Sequence, residues 1–133
     1  MLNEDEIKHW LVPRSGVINS YVATDADGNA TDLCSFYHLP SCVLRNPLHN
    51  KLNACYSYYN VAGTVPLYDL MKDCMSMAKH REDQDVFNAL NLMENEDVFE
   101  ELKFGRGDGA LHYYLYNWKM PLLKSKEIGL VLL

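Results

Sequence analysis

Between residues 67 and 78, Leu67, Leu70, Met71, Cys74, Met75 and Ala78 recur at i, i+3, i+4, i+7, i+8 and i+11, one continuous apolar stripe on a helix. A stripe of that width has to be covered, and core packing is its expected use, ahead of a methionine-lined partner groove. Thr64 is placed to cap this helix, and Pro66 suits its first turn. The sequence on either side reads as strand. Residues 17–24 are rich in β-formers, Asp25-Ala26-Asp27-Gly28-Asn29 is turn chemistry, and residues 31–39 resume as a second strand stopped by Pro40. Asn46-Pro47 marks a turn before another aromatic, β-rich run from Ala54 to Val61.

After the helix, residues 80–84 read as a charged loop and Asp85-Val86-Phe87 as a short strand. Asn95 is expected to cap a second, shorter helix with Glu96 and Asp97 in its first turn, ended by Gly105. Residues 111–118 are apolar or aromatic on both alternating faces, the pattern of a central strand covered on both sides. A last apolar run covers 128–133. Strands alternating with helices imply an α/β or α+β sheet domain. The length of 133 residues fits one domain, expected over 1–133.

Charge and composition remove several classes. A net charge of −6 with no basic stripe argues against nucleic-acid binding. No apolar run approaches the roughly 18 residues that span a bilayer. Met1-Leu2-Asn3-Glu4-Asp5-Glu6 is acidic where a signal peptide is basic and then apolar, so a cytoplasmic location is expected. Cys34, Cys42, Cys55 and Cys74 lie 8, 13 and 19 residues apart, without the short gaps of zinc sites, and read as reduced core thiols. His9, His38, His49, His80 and His112 include no pair at i, i+4, and nothing local supports a Cys–His nucleophile or any metal site.

Two features ask for more than a fold. Lys103-Phe104-Gly105-Arg106-Gly107-Asp108-Gly109 has three glycines in five residues, yet it is neither a P-loop nor a dinucleotide fingerprint, since it runs from helix into strand. It reads either as a tight connection or as a mount that offers the Asp108 carboxylate to a cationic ligand. The second feature is the apolar ending, which draws the carboxylate of Leu133 either to the surface or toward an interior where it must be paired or do chemistry.

Read together, these features resemble the C-terminal part of the N-myristoyltransferases, the glycylpeptide N-tetradecanoyltransferases. The resemblance is carried by Lys103-Phe104-Gly105-x-Gly107-Asp108-Gly109, which runs on into Leu111-x-Tyr113-Tyr114-Leu115-Tyr116-Asn117. Ser35-Phe36-Tyr37-x-Leu39-Pro40-Ser41, Ala54-x-Tyr56-Ser57-Tyr58-Tyr59-Asn60-Val61, Asp85-Val86-Phe87-Asn88-Ala89-Leu90 and Gly129-Leu130-Val131-Leu132 follow the same pattern in the same order.

The resemblance implies an acetyltransferase-like half-domain, a mixed twisted sheet flanked by helices. It also implies a role in moving myristate from myristoyl-CoA to the α-amine of an N-terminal glycine. Myristoyl-CoA is then a co-substrate and no permanent cofactor is expected. Its site is expected mostly in an N-terminal acyl-CoA-binding part that these residues lack, so the chain alone is expected to be inactive. The implied partner is a glycine-initiated peptide or protein, lined by Ser41, Tyr56 and Leu90, with Asp108 and Gly109 further along and Asp108 facing a basic residue. The implied base is the terminal carboxylate of Leu133. Plainer readings exist: Ser41 as a strand-end cap, Tyr56 as core. Arg106, beside Asp108, and residues 80–84 depart from the family pattern. The alternative function is a non-enzymatic paralogue that binds glycine-initiated peptides or associates with a full-length relative.

Overall fold

The computed structural model describes residues 2–132. Helix α1 (Glu4–Leu11) comes first, followed by strands β1 (Ile18–Thr24), β2 (Ala30–His38), β3 (Ser41–Cys42), β4 (Lys51–Leu52) and β5 (Ala54–Ser57). Helix α2 (Leu67–Glu82), strand β6 (Val86–Asn88) and the four-residue helix α3 (Glu96–Phe99) complete the regular elements, with a 3₁₀ turn at Ser125–Glu127. The chain divides into two compact units, one running to Leu90 and the other starting at Asn91.

In the first unit the expected hairpin forms. Its turn is built by Asp25, whose Oδ1 accepts from the backbone N–H of Asp27 and of Asn29, while Gly28 takes φ +86°. β1 pairs antiparallel with β2 from Ile18↔Tyr37 onward, β2 antiparallel with β5, and β5 parallel with β6. The result is a mixed four-stranded sheet in the order β1-β2-β5-β6, with α2 packed on it. The right-handed crossover expected of a parallel β–α–β pair is the role α2 fills by sequence position.

The helical stripe is the core. Leu70, Met71, Cys74 and Ala78 are buried, and Leu70, Cys74 and Ala78 cluster with Cys34, Phe36 and Cys55 from the strands. Cys34 and Phe36 alternate along β2 onto the same face, as the period of 2 requires. Three of the four cysteines are core thiols as expected, but Cys42 is exposed, because β3 is a two-residue strand outside the main sheet. Burial pushes the Cys55 thiol up to about 12. The hydrogen bond to Cys34, and then burial, push the Cys74 thiol up as well.

Several boundaries differ from expectation. α2 continues to Glu82, absorbing most of the charged loop, since Lys79, His80 and Arg81 suit the negative end of a helix. β5 stops at Ser57 because the Ser35 hydroxyl takes over the next backbone groups, accepting from Tyr59 N–H and donating to Tyr59 C=O. Asn95 precedes α3 without a side-chain cap, and the chain leaves the helical turns at Lys103 (φ +62°), ahead of Gly105. Residues 111–118 form no strand and are mostly exposed, and residues 128–132 are not a strand either. Neither run pairs with a strand of the sheet among the described residues.

Thr64 does not cap α2; Pro66 occupies the cap position, with no side-chain bond. The Thr64 hydroxyl instead donates to Asp32, a carboxylate that is 2% exposed. Asp32 also accepts from the N–H groups of Gly63 (2.8 Å), Thr64 (2.8 Å) and Val65 (3.1 Å) and from the Thr31 hydroxyl. Gly63 is required there, since a Cβ would collide with the Thr31 carbonyl oxygen. One buried charge thus fixes the entry to α2.

The Thr64 hydroxyl first, and then the other donors, hold the Asp32 carboxyl well below the usual carboxylate range. A carboxyl whose folded pKa lies below its unfolded value of roughly 3.9 stabilises fully above that value and loses the contribution as pH falls. Asp32→Asn removes the charge and replaces an acceptor with a donor. We expect it to lower Tm at pH 7 by on the order of 10 °C, with the deficit narrowing from pH 5 toward pH 2. A deficit that stays constant across that range in thermal melts would assign the effect to shape alone.

Candidate functional site

Strand alternation places Tyr56 on the sheet face opposite α2, since its neighbour Cys55 belongs to the helix-covered core. Tyr56 is half-buried and stands directly across from Tyr37, the two rings stacked with centroids 5.4 Å apart and planes 15° from parallel. Tyr58 meets Tyr37 edge-on at 5.7 Å. The plainer reading of Tyr56 is therefore partly right: it packs, but on an aromatic platform outside the main core.

Topology places two other expected residues along β5. β2 and β5 run antiparallel, so the exposed Ser41, just past the end of β2, lies near the start of β5. Asn88 of β6 is the parallel neighbour of Tyr56, so Leu90, two residues on, lies beyond the other end. Tyr56 stands between them. A strand residue advances about 3.3 Å, so the three span the length of a short extended peptide.

Asp108 and Gly109 belong to the second unit, where both are exposed. Asp108 makes no ion pair among the described residues, and Arg106 does not neutralise it. Gly105, Gly107 and Gly109 have no neighbour within 4 Å of where a Cβ would sit, and none takes a positive φ. The tight connection alone does not account for three glycines. Leu133 lies outside the described residues.

Two pockets among the described residues are lined by none of the expected site residues. One, of about 410 Å³, lies among Met93, Glu96, Asp97 and residues 123–126. The other, of about 300 Å³, contains His38, Lys51, Glu82 and Gln84. There Gln84 Nε2 donates to the Glu82 carbonyl at 2.8 Å and faces His38 Nδ1 at 3.3 Å. An amide nitrogen only donates, so Nδ1 accepts and the His38 Nε2–H is directed at Asn19 Oδ1, 2.6 Å away. His38 is held in one tautomer by these partners and is not poised as the base of a nucleophilic thiol.

Sequence reading missed Asp32 and this His38 network. A Thr-Asp pair inside a strand was the available signal for Asp32, and a polar residue in an otherwise apolar run is the kind of signal that buried carboxylates leave.

The comparisons with known proteins decide the family. The sequence model described as "Myristoyl-CoA:protein N-myristoyltransferase, C-terminal domain" matches residues 1–131. The chain belongs to the N-myristoyltransferase family. It is 50% identical over 132 residues to glycylpeptide N-tetradecanoyltransferase 2 of Danio rerio, covering 99% of this chain and 27% of the relative. It is 52% identical over 130 residues to a probable glycylpeptide N-tetradecanoyltransferase of Caenorhabditis elegans, covering 98% of this chain and 29% of the relative.

The crystal structure of Saccharomyces cerevisiae N-myristoyltransferase with bound myristoyl-CoA superposes with TM-score 0.74 and 31% identity, over 82% of this chain and 29% of that one. A ribosomal-protein-alanine N-acetyltransferase of Brucella melitensis, at 16% identity and TM-score 0.52, shares the fold alone. The acetyltransferase-like, mixed-sheet expectation thus holds. The chain spans between a quarter and a third of the length of the N-myristoyltransferases it matches. No helix among the described residues is long and apolar enough to cross a membrane.

Proposed function

We propose that this chain is the peptide-side part of a glycylpeptide N-tetradecanoyltransferase. It receives a glycine-initiated peptide and supplies the carboxylate that deprotonates it. The observation that carries this reading is the family match along residues 1–131, which contains Ser41, Tyr56, Leu90, Asp108 and Gly109. The row of Ser41, Tyr56 and Leu90 along β5 supports it, as does the unpaired Asp108 among glycines with open space beside them.

The chemistry needs a base. A peptide α-amine has a pKa of roughly 7.7–8.0, so at neutral pH it is mostly ammonium and cannot attack a thioester. A carboxylate within hydrogen-bond reach takes the proton. The free amine nitrogen then bonds to the acyl carbon to give a tetrahedral intermediate. As the carbon–sulfur bond breaks, the second amine proton passes to the leaving sulfur, so the products are the amide and CoA thiol. We assign the proton acceptance to the α-carboxylate of Leu133. Ser41, Tyr56 and Leu90 hold the peptide's first residues, and Asp108 meets a cationic side chain downstream.

Asp108 gives a direct test of the peptide reading. The zebrafish relative with its matched segment replaced by these 133 residues is the vehicle. In that chimera Asp108→Asn should raise KM for peptides with a Lys or Arg downstream of glycine by about 1.4–5-fold, the equivalent of the 0.2–1 kcal/mol of an exposed pair. The loss should shrink in 0.5 M salt, where charges are screened over only a few ångströms. Equal losses for basic and neutral peptides would show that Asp108 merely shapes its loop.

A further inference from the structure

Strands β3 and β4 are two residues each, and the turn between them is longer than both together. Val43 N–H closes it by donating to the Asn50 carbonyl at 3.0 Å. Inside it, Asn46 Oδ1 accepts from Leu48 N–H at 2.9 Å and from His49 N–H at 3.1 Å. On this bonded turn Leu44 and Leu48 are each 84% exposed, the most exposed large hydrophobic side chains among the described residues of the first unit. One exposed leucine is ordinary, but two on a single closed turn make a surface.

The charge around them runs against the rest of the chain. Residues 33–68 contain no Asp or Glu, and their formal charges are Arg45 and Lys51, in a chain of net charge −6. Neither cation forms an ion pair among the described residues. Acidic side chains meet the hairpin at its base, where Asp85 accepts from Asn53 N–H at 2.9 Å. The turn beyond that base is apolar and basic.

We propose that the β3–β4 turn is a membrane-contact tip that lays Leu44 and Leu48 into the interface of an anionic bilayer, where Arg45 and Lys51 meet the lipid headgroups. A groove on a protein would take the leucines, but the occupant has to be apolar beneath and negative at its surface to use both halves of the tip. A bilayer with acidic lipids is both. A second copy fits less well, because it would bring Arg45 and Lys51 against cations like themselves. The overall negative charge opposes the contact weakly, since charges more than about 8 Å from the surface are screened at physiological salt. No helix among the described residues is long and apolar enough to span, so the contact is peripheral.

Ser41, at one end of the proposed peptide row, is also the first residue of β3, which would hold that row beside the bilayer. The membrane contact itself rests on Leu44, Leu48, Arg45 and Lys51, and stands or falls apart from the peptide-side reading.

Vesicle sedimentation of the zebrafish chimera and of the 133-residue chain tests it. With vesicles of phosphatidylcholine carrying about 30% phosphatidylserine, both should bind at on the order of 10³ M⁻¹ in lipid, below the roughly 10⁴ M⁻¹ of a single myristoyl chain. Pure phosphatidylcholine should bind about 10–30-fold more weakly, the share of two basic residues near the surface. Leu44→Ser with Leu48→Ser should cost at least about tenfold on acidic vesicles. Arg45→Gln with Lys51→Gln should remove the dependence on phosphatidylserine. Val22→Ser, at an exposed position on β1, should change nothing. All these sites are exposed, so the melting temperatures should stay together.

Equal binding to acidic and neutral vesicles, or binding that survives the double serine change, would overturn the proposal. Binding by the 133-residue chain but not by the chimera would overturn it too, because the rest of the relative would then cover the tip. So would self-association in solution that the double serine change abolishes, which would assign the tip to a second copy.

Discussion

Adding two or three residues after Leu133 in the zebrafish chimera should cut kcat by about 10²–10⁴-fold, the usual contribution of a positioned general base. That is roughly 3–5 kcal/mol at 1.36 kcal/mol per decade. The extension keeps the leucine side chain and moves only the carboxylate. Changing Leu133 to Met or Gln while keeping it terminal should cost less than about tenfold, because the acting atoms belong to the backbone. The loss should be in kcat more than in KM, since deprotonation serves the transition state more than it serves binding. An extended chimera that turns over as fast as the unextended one would remove the terminal carboxylate from the mechanism.

The second large effect concerns these 133 residues by themselves. Mixed with myristoyl-CoA and a glycine-initiated peptide, they should give no transfer above the uncatalysed rate. We propose that the acyl-CoA site, and with it the donors that stabilise the tetrahedral oxyanion, lies in the part of the relatives outside the matched residues. One such donor is worth about 10²–10³ in kcat, and without an acyl-CoA pocket the reactants are not even brought together. Steady turnover by the 133 residues would mean that they carry an acyl-CoA site of their own, and the division of labour proposed here would be wrong.

Elements whose partners lie nearby in sequence were legible from it. The hairpin of β1 and β2 is specified by its turn residues and by strands that pair with each other. α2 is specified by a stripe that its own unit buries. α1 was legible too and was overlooked: Asn3 and Glu6 form a capping box, each side chain bonding the other's backbone N–H, in a stretch read only for its charge.

The failures share a cause in competition for donors and acceptors across distance. Thr64 looks like a cap locally, but a buried carboxylate 32 residues earlier is the stronger acceptor. The strand expected at 111–118 has the right side chains and lacks the neighbours. Binary pattern describes what a segment needs, whereas a sheet also requires something to pair with. Of the site, Tyr56 lies on β5, Ser41 on the short β3 and Leu90 two residues past β6, and it is the strand pairing that brings Ser41 and Leu90 to the two ends of β5. No periodicity or spacing would have joined them, and only the resemblance to the family brought them together. Asp108 stood out by itself, as a carboxylate between glycines.

The most direct test of the central claim is steady-state myristate transfer by the zebrafish chimera to a glycine-initiated peptide, measured beside the unaltered zebrafish relative. The account predicts a kcat within about tenfold of that relative, and loss of transfer when the peptide's glycine amine is acetylated. A chimera that folds and binds myristoyl-CoA, yet transfers nothing, would contradict it.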